Sequence, residues 1–308
     1  MSQKSTPSVE SISRTPPSSR STDELAASPT LRRRRLARQL LSLRANTGKT
    51  VDAVAKEAKQ RSPKRPWSAA KVTRIEGRKL QHLRETDLLT LLDVYGVTDE
   101  EERAAYVKLA KEASQAGWWV GYKDVLGSGA YIDLETEAVQ LRTYEPMYIP
   151  GLLQTRAYAE AVVRGSGVTD DHEVTRRVEA RMMRRQILDR PDAPKLTALV
   201  DESALRKIPS EIAPEQVRHL TAMQRPHVEI HVVPDEAGPH HAMSGAFVLM
   251  TFPHDPSVVY LEQSMAGMFL ETEEELAHYE ALFTDTQDVA LSVDASVAFL
   301  EAHLKKIQ

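Results

Sequence analysis

The sequence predicts an α+β protein: an all-α bundle of five helices, then an α+β domain with an antiparallel sheet. Three observations lead there. Between Leu31 and Ser114, apolar residues recur at helical spacing in five short segments separated by Gly or Pro. Beyond about Ala116, β-branched and aromatic runs appear, bounded by Pro, Gly and Asp and interleaved with helical stretches. The charge also changes sign: residues 1–120 carry 23 Lys and Arg against 14 Asp and Glu, and the remainder 17 against 30. A chain of 308 residues suits about two domains. The expected division is a tail over 1–29, a helical domain over 30–116 and an α+β domain over 117–308.

The tail is dominated by Ser, Thr and Pro, buries too little to offset its ordering entropy, and is expected to be disordered. The first helix follows in "LRRRRLARQLLSLRANTG", with Leu36, Leu40 and Leu43 on one face and Gly48 as its stop. In "KTVDAVAKEA", Thr50 caps a second helix whose apolar face is Val51, Val54, Ala55 and Ala58. "KQRSPKRP" is a loop, with two prolines and four cations. "WSAAKVTRIEGRKL" is a short third helix ending near Gly77, with Val72 and Ile75 facing a core and Lys71, Arg74 and Arg78 on a roughly opposite stripe. "ETDLLTLLDVYG" is the fourth helix. "TDEEERAAYVKLAKEAS" is the fifth, begun by Thr98, with acids first and lysines last, as the helix dipole favours. "GWWVGYKDVLGSG" reads as a connector. "KLTALV", "VEIHVV", "GAFVLMTF" and "SVVYLEQ" read as strands, the last three closely spaced, as in an antiparallel meander.

Cysteine is absent, which excludes disulfides, thiol catalysis and thiolate metal sites and fits a reducing cytoplasm. No run of about 18 apolar residues or secretory signal is seen, so the expectation is a cytoplasmic protein, at the nucleoid, with no membrane contact. Residues 31–84 carry 17 basic and 3 acidic side chains, a composition suited to a polyanion. The DNA major groove is about 12 Å wide and admits one helix. A helix that reads it needs small or polar residues at its outer amino-terminal end, cations nearby for phosphate and apolar anchors behind. The second and third helices supply these and form a helix-turn-helix candidate. The Arg32–Arg35 run suits phosphate or the minor groove better than an anionic membrane.

"LRANTGKTVDAVAKEA", "KVTRIEGRK" and "LLDVYGV" together resemble the five-helix, lambda-repressor-like DNA-binding domain of XRE-type regulators, over about residues 36–97. The resemblance implies double-stranded DNA as partner and an internal ion pair between Arg44 and Glu76. It also implies base reading at Ala69, Ala70 and Arg74. Arg can grip guanine through two hydrogen bonds and Ala can pack on a thymine methyl. Thr50, Ser68, Lys71, Arg78 and Lys79 are the candidates for phosphate, where contacts set register without reading sequence. The sequence departs from the family in "KQRSPKRPW", several residues longer than the usual tight turn, whose Lys59, Arg61, Lys64 and Arg65 either reach the DNA backbone or only solvate the loop.

"YEPMYIPGLLQTRAYAEAVV" (Tyr144 to Val163) reads as a strand end, a Pro150–Gly151 turn in which Gly151 permits a positive φ, and a helix from near Thr155. With "RRVEARMMRRQILDR", "VDESALRK" and "VEIHVVP" it resembles actinobacterial XRE-type regulators with a large carboxy-terminal domain, over about Ala116 to His303. Some of these look like antitoxins paired with a small neighbouring protein. The resemblance implies a module that dimerises, senses a ligand or binds a small partner protein. No enzyme is expected, and no cofactor. His227, His231, His240 and His241 lie near Asp235 and Glu236 but read as ordinary strand and turn residues rather than metal ligands. Ser264 lacks the hydrolase elbow, and no phosphate-loop glycine pattern is present. Glu145, and Glu262 with Gln263, could line a pocket or face solvent.

Overall fold

A computed structural model describes residues 29–77, 83–114, 121–122, 129–262 and 267–307. The Ser/Thr/Pro-rich tail up to residue 28 and most of the aromatic connector lie outside them. So do Arg78, Lys79, Gln263 and Ser264.

Five helices form the first part: α1 (Pro29–Thr47), α2 (Val51–Arg61), α3 (Ala69–Glu76), α4 (Glu85–Tyr95) and α5 (Glu100–Ala113). Their starts follow local chemistry. Thr50, Ser68 and Asp99 each cap the following helix by accepting a backbone N–H three residues on. Asp99, rather than Thr98, begins α5, ahead of Glu100, Glu101 and Glu102. Gly96 closes α4 in the left-handed conformation that a side chain would strain. Leu36 and Leu40 of α1, Val54 and Ala58 of α2, Val72 and Ile75 of α3, and Leu88, Leu91 and Leu92 of α4 make one core, with Trp67 at its edge.

The second part begins with α6 (Ala130–Glu137) and centres on a sheet of β1 (Gln140–Glu145), β2 (Lys195–Asp201), β3 (Val228–Val233), β4 (Phe247–Thr251), β5 (Val258–Leu261) and β6 (Met268–Leu270). Helices α7 (Arg156–Gly165) and α8 (Asp171–Arg185) link β1 to β2. Helices α9 (Glu202–Arg206) and α10 (Ala213–Met223) link β2 to β3, and α11 (Glu273–Val289) and α12 (Val293–Ile307) close the chain. The order across the sheet is β3-β2-β1-β4-β5-β6. The first three strands run parallel and the last three antiparallel.

The α+β class therefore holds, but the sheet is mixed rather than antiparallel. The cause is β1, of which the sequence shows only the end at Tyr144, because "QLRTYE" carries only two large apolar side chains. As the strand shared by both halves it draws β4 away from β3. Parallel neighbours also require long crossovers, which the helices between β1, β2 and β3 supply. Alternation gives the sheet two apolar faces. Leu141, Ala198, Val200 and Ile230 pack with Val217, Leu220 and Leu300 from α10 and α12. Tyr144, Leu199, Phe247 and Leu249 pack with Leu282 and Phe283 from α11. No helix among the described residues is long and apolar enough to cross a membrane.

The two parts meet along α1. Leu36 and Leu40 belong to the helical core, whereas Leu31, one to two turns earlier, is buried in the core of the sheet domain. Around it, Thr30 Oγ1 donates to Asp133 at 2.6 Å. Arg34 pairs with Glu271 at 2.9 Å and lies over the Phe269 ring. Arg35 pairs with Asp255 at 2.7 Å, Arg38 reaches the other oxygen of the same carboxylate, and Arg32 pairs with Glu112. The arginine run, expected to meet phosphate or the minor groove, instead binds the protein's own acids. Those acids lie 80 or more residues away in sequence, so no local pattern announces them.

Asp255 has a buried carboxylate that receives two guanidinium groups. Asp255→Ala is expected to lower unfolding free energy by about 1–3 kcal/mol, because both arginines are partly solvated. Hydrogen exchange in the first half of α1 should quicken in the same variant. Unchanged protection there would show that the helix is held by its apolar contacts alone.

Candidate nucleic-acid interface

Helix α3 is held from behind and open in front. Val72 and Ile75 anchor it in the helical core. Its last residue, Glu76, turns inward, where Arg44 Nε donates to both carboxylate oxygens at 2.9 and 2.8 Å. Tyr95 OH donates to Glu76 at 2.7 Å, and Arg44 also donates to the Lys49 carbonyl at 3.1 Å. Burial, with Glu76 beside it, pushes the Tyr95 hydroxyl far above its usual range, so it acts only as a neutral donor. The helix stops at Gly77, where a Cβ would come within 2.7 Å of the Thr73 carbonyl oxygen.

The outward surface consists of Ser68, Ala70, Thr73 and Arg74, all exposed, with Ala69 half-buried beside them. Arg74 makes no hydrogen bond or ion pair among the described residues, leaving its guanidinium available. Thr50 is likewise exposed at the start of α2, its hydroxyl accepting from Ala53 N. Ser68 accepts from Lys71 N in the same way. Thr73 was missed in the sequence reading, although its place three residues after Ala70 puts it on the same face.

Lys71 is a correction. Its ammonium sits 3.0 Å from the buried Asp87 carboxylate and 4.1 Å over the Trp67 ring, so it faces inward rather than toward phosphate. A basic stripe inferred from spacing could not include that, since Asp87 lies on the next helix. The loop starts later than expected, since Lys59 and Arg61 belong to the last turn of α2, where Arg61 pairs with Glu57; in the loop, Arg65 donates to the Thr86 hydroxyl. Lys59 and Lys64 are exposed, with no partner among the described residues.

Residues 35–105 match the helix-turn-helix domain family, and residues 128–302 match the family described as a domain of unknown function, DUF5753. The second match covers more than half of the chain. The chain belongs to the DUF5753 family. No curated protein and no solved structure matches it.

The helix-turn-helix match begins inside α1, so the first turns of this helix, with Leu31, lie outside both matched regions. Within the DUF5753 region, Gly151 does not adopt a positive φ. It is small for another reason: a Cβ there would press within 3.3 Å of the Arg184 guanidinium. Arg184 lies over the Tyr131 ring, donates to Tyr131 OH at 3.1 Å and grips both oxygens of Glu135. Glu145 lies in the same polar region. Burial, reinforced by Glu262 and opposed by Arg184, pushes its carboxyl up to about 8.

The histidines near Asp235 and Glu236 diverge. His227 contacts the Leu188 carbonyl, His231 the Leu291 carbonyl, His240 the Tyr144 hydroxyl and His241 the Asp285 carboxylate. Among the described residues, no three His, Asp or Glu side chains converge to hold a metal ion.

Two outcomes follow. Glu76→Ala leaves Arg44 and Tyr95 without their acceptor and should cost roughly 3–5 kcal/mol in urea unfolding, with Tyr95→Phe costing about 1 kcal/mol. For Glu145, the folded value exceeds the unfolded 4.5, so between 4.5 and 8 the folded state holds a proton that the unfolded chain has released. Stability therefore falls as pH rises through that window. Glu145→Gln should remove roughly 2–4 kcal/mol of the decline between about pH 5 and pH 9. A decline as steep as in the parent protein would place that carboxylate in water.

Proposed function

We propose that the protein is a sequence-specific DNA-binding transcriptional regulator of the XRE type, with α3 entering the major groove. The observation that carries this is the contrast between the two sides of α3. Its rear is fixed by Val72, Ile75 and the Arg44–Glu76–Tyr95 cluster, while Ala70, Thr73 and the unpaired Arg74 face outward. Fixed geometry matters because a misplaced donor cannot discriminate between base edges. In this reading Arg74, Ala69 and Ala70 contact bases. Thr50 and Ser68 contact phosphate, with Lys59 and Lys64 near the backbone, and the caps leave the first N–H groups of both helices beside it. The DUF5753 region pairs two copies about a two-fold axis and receives a signal, with no chemical step assigned to it. Such a pair sets two reading helices about 34 Å apart along one face of the duplex.

Selection of bound sequences from a random duplex library with the full chain yields the operator. Affinity for it should fall steeply with salt. On that operator Arg74→Ala should cost about 1–3 kcal/mol and relax preference at one base step, with little change on random DNA. Equal losses on both would remove base reading from Arg74. Absence of any selected sequence would remove the proposal.

A further inference from the structure

The turn "PGLLQT" carries no chemistry as a sequence, and DNA reading makes no use of it. Its construction is nevertheless costly for a surface turn. Gln216, fully buried on α10, accepts from Thr155 N and donates to the Leu153 carbonyl, both at 2.8 Å. Gln154, 3 % exposed, donates to the Ile149 carbonyl at 2.8 Å. Arg185 donates to the Gln154 carbonyl at 3.1 Å. Two buried carboxamides contribute less than two leucines would, so their value lies in the geometry they impose. What they impose is the start of α7: Thr155 caps it, and Thr155 and Arg156 line a groove.

The groove has a volume of about 790 Å³, in the range of small-molecule sites, and lies between the carboxy-terminal end of α8 and the exposed side of α10. Arg156, Arg185, Arg218 and His219 line it, against the acids Asp189 and Glu215. Asp189 is paired with Arg225 at 2.7 Å. Arg156 and Arg218 have no acidic partner among the described residues, and Arg185 rests on a neutral carbonyl with its guanidinium 3.4 Å from His219 Nε2. Three guanidinium groups thus face one basin with a single unengaged carboxylate, Glu215. Burial and the nearby Arg185 and Arg225 charges hold the His219 ring below its ordinary value.

We propose that this groove binds a small phosphorylated molecule, with Arg156, Arg185 and Arg218 clamping its phosphate at the start of α7. Against the three guanidinium groups and Glu215, a net of two positive charges, one carboxylate ligand would leave half uncompensated. A phosphate monoester brings a charge of about −1.5 to −2, with three acceptor oxygens suited to guanidinium forks. The helix start adds backbone donors of the same polarity. The site stands independently of the DNA-reading proposal, since none of its residues lies in the helix-turn-helix region.

Isothermal titration of the full chain with inorganic pyrophosphate, at constant ionic strength and with sodium sulfate as the control anion, tests it. Saturable binding of one pyrophosphate per chain is expected, at least about tenfold tighter than sulfate. Arg156→Gln and Arg218→Gln, both at exposed positions, should each weaken it about tenfold while leaving the circular dichroism spectrum unchanged. Glu215→Gln should strengthen it. No saturable heat, equal affinity for sulfate, or variants that bind as the parent does would overturn the site. So would weaker binding of random duplex DNA in the two arginine variants, which would make the groove a contact for nucleic-acid backbone.

Discussion

The arrangement of this molecule depends on one helix being shared by two cores. Leu31 is packed within the sheet domain and Leu36 and Leu40 within the helical bundle, less than three turns apart on α1. A continuous helix cannot bend between these points without breaking its own hydrogen bonds. The orientation of the bundle on the sheet domain is therefore set by whatever holds the first ten residues of α1. Asp255 on the β4–β5 turn and Glu271 just past β6 do this, through Arg35, Arg38 and Arg34. Two turns further on, Arg44 of the same helix ties Glu76 at the end of α3. One rigid element thus links the sheet's antiparallel edge to the helix with the outward face.

This sharing changes what the basic segment means. Eight of its 17 basic side chains pair with the protein's own acids. Arg32, Arg34, Arg35 and Arg38 bind acids around the seam, and Arg44 binds Glu76. Lys49 and Arg61 share Glu57, and Lys71 holds Asp87. Among the described residues, the exposed cations without an acidic partner are Lys56, Lys59, Lys64, Arg74 and Arg84. A surface with few but well-placed cations reads position better than a diffuse positive field, which attracts any duplex equally.

How much of this was legible varied with the range of the interaction. The cap Thr50, the stop at Gly77 and the apolar pairs of α2 and α3 are local, and periodicity with cap chemistry places them. The partners of Lys71 and of the arginine run lie on other elements, up to 220 residues away for Arg35, and a one-dimensional pattern carries no information about them. The same limit explains the sheet. β2, β3, β4 and β5 are apolar enough to be seen, but their order depends on β1, whose polar residues disguise the strand lying at the junction of parallel and antiparallel halves. Thr73 was hidden for a different reason: a small polar residue on a reading face looks like any solvated threonine until exposure is known. Beside the groove, Gln216 is a polar residue that is fully buried, and nothing in the local sequence marks it as such.

Coupling between the two regions follows from stiffness rather than from a flexible hinge. Helix α1 has 19 residues, about 28 Å of continuous backbone. A small tilt at its Asp255 end carries the whole bundle, including α3, as one body, because Arg44, Glu76 and Tyr95 leave the bundle no independent way to yield. A bound molecule in the sheet domain therefore has little leverage on the internal geometry of α3, which two cores and a buried ion pair determine. In the proposed dimer its leverage would be on where that helix sits relative to a second copy: two reading helices would have to match successive turns of the duplex, and a displacement of a few ångströms at each would alter operator affinity without disturbing a single side chain of the outward face.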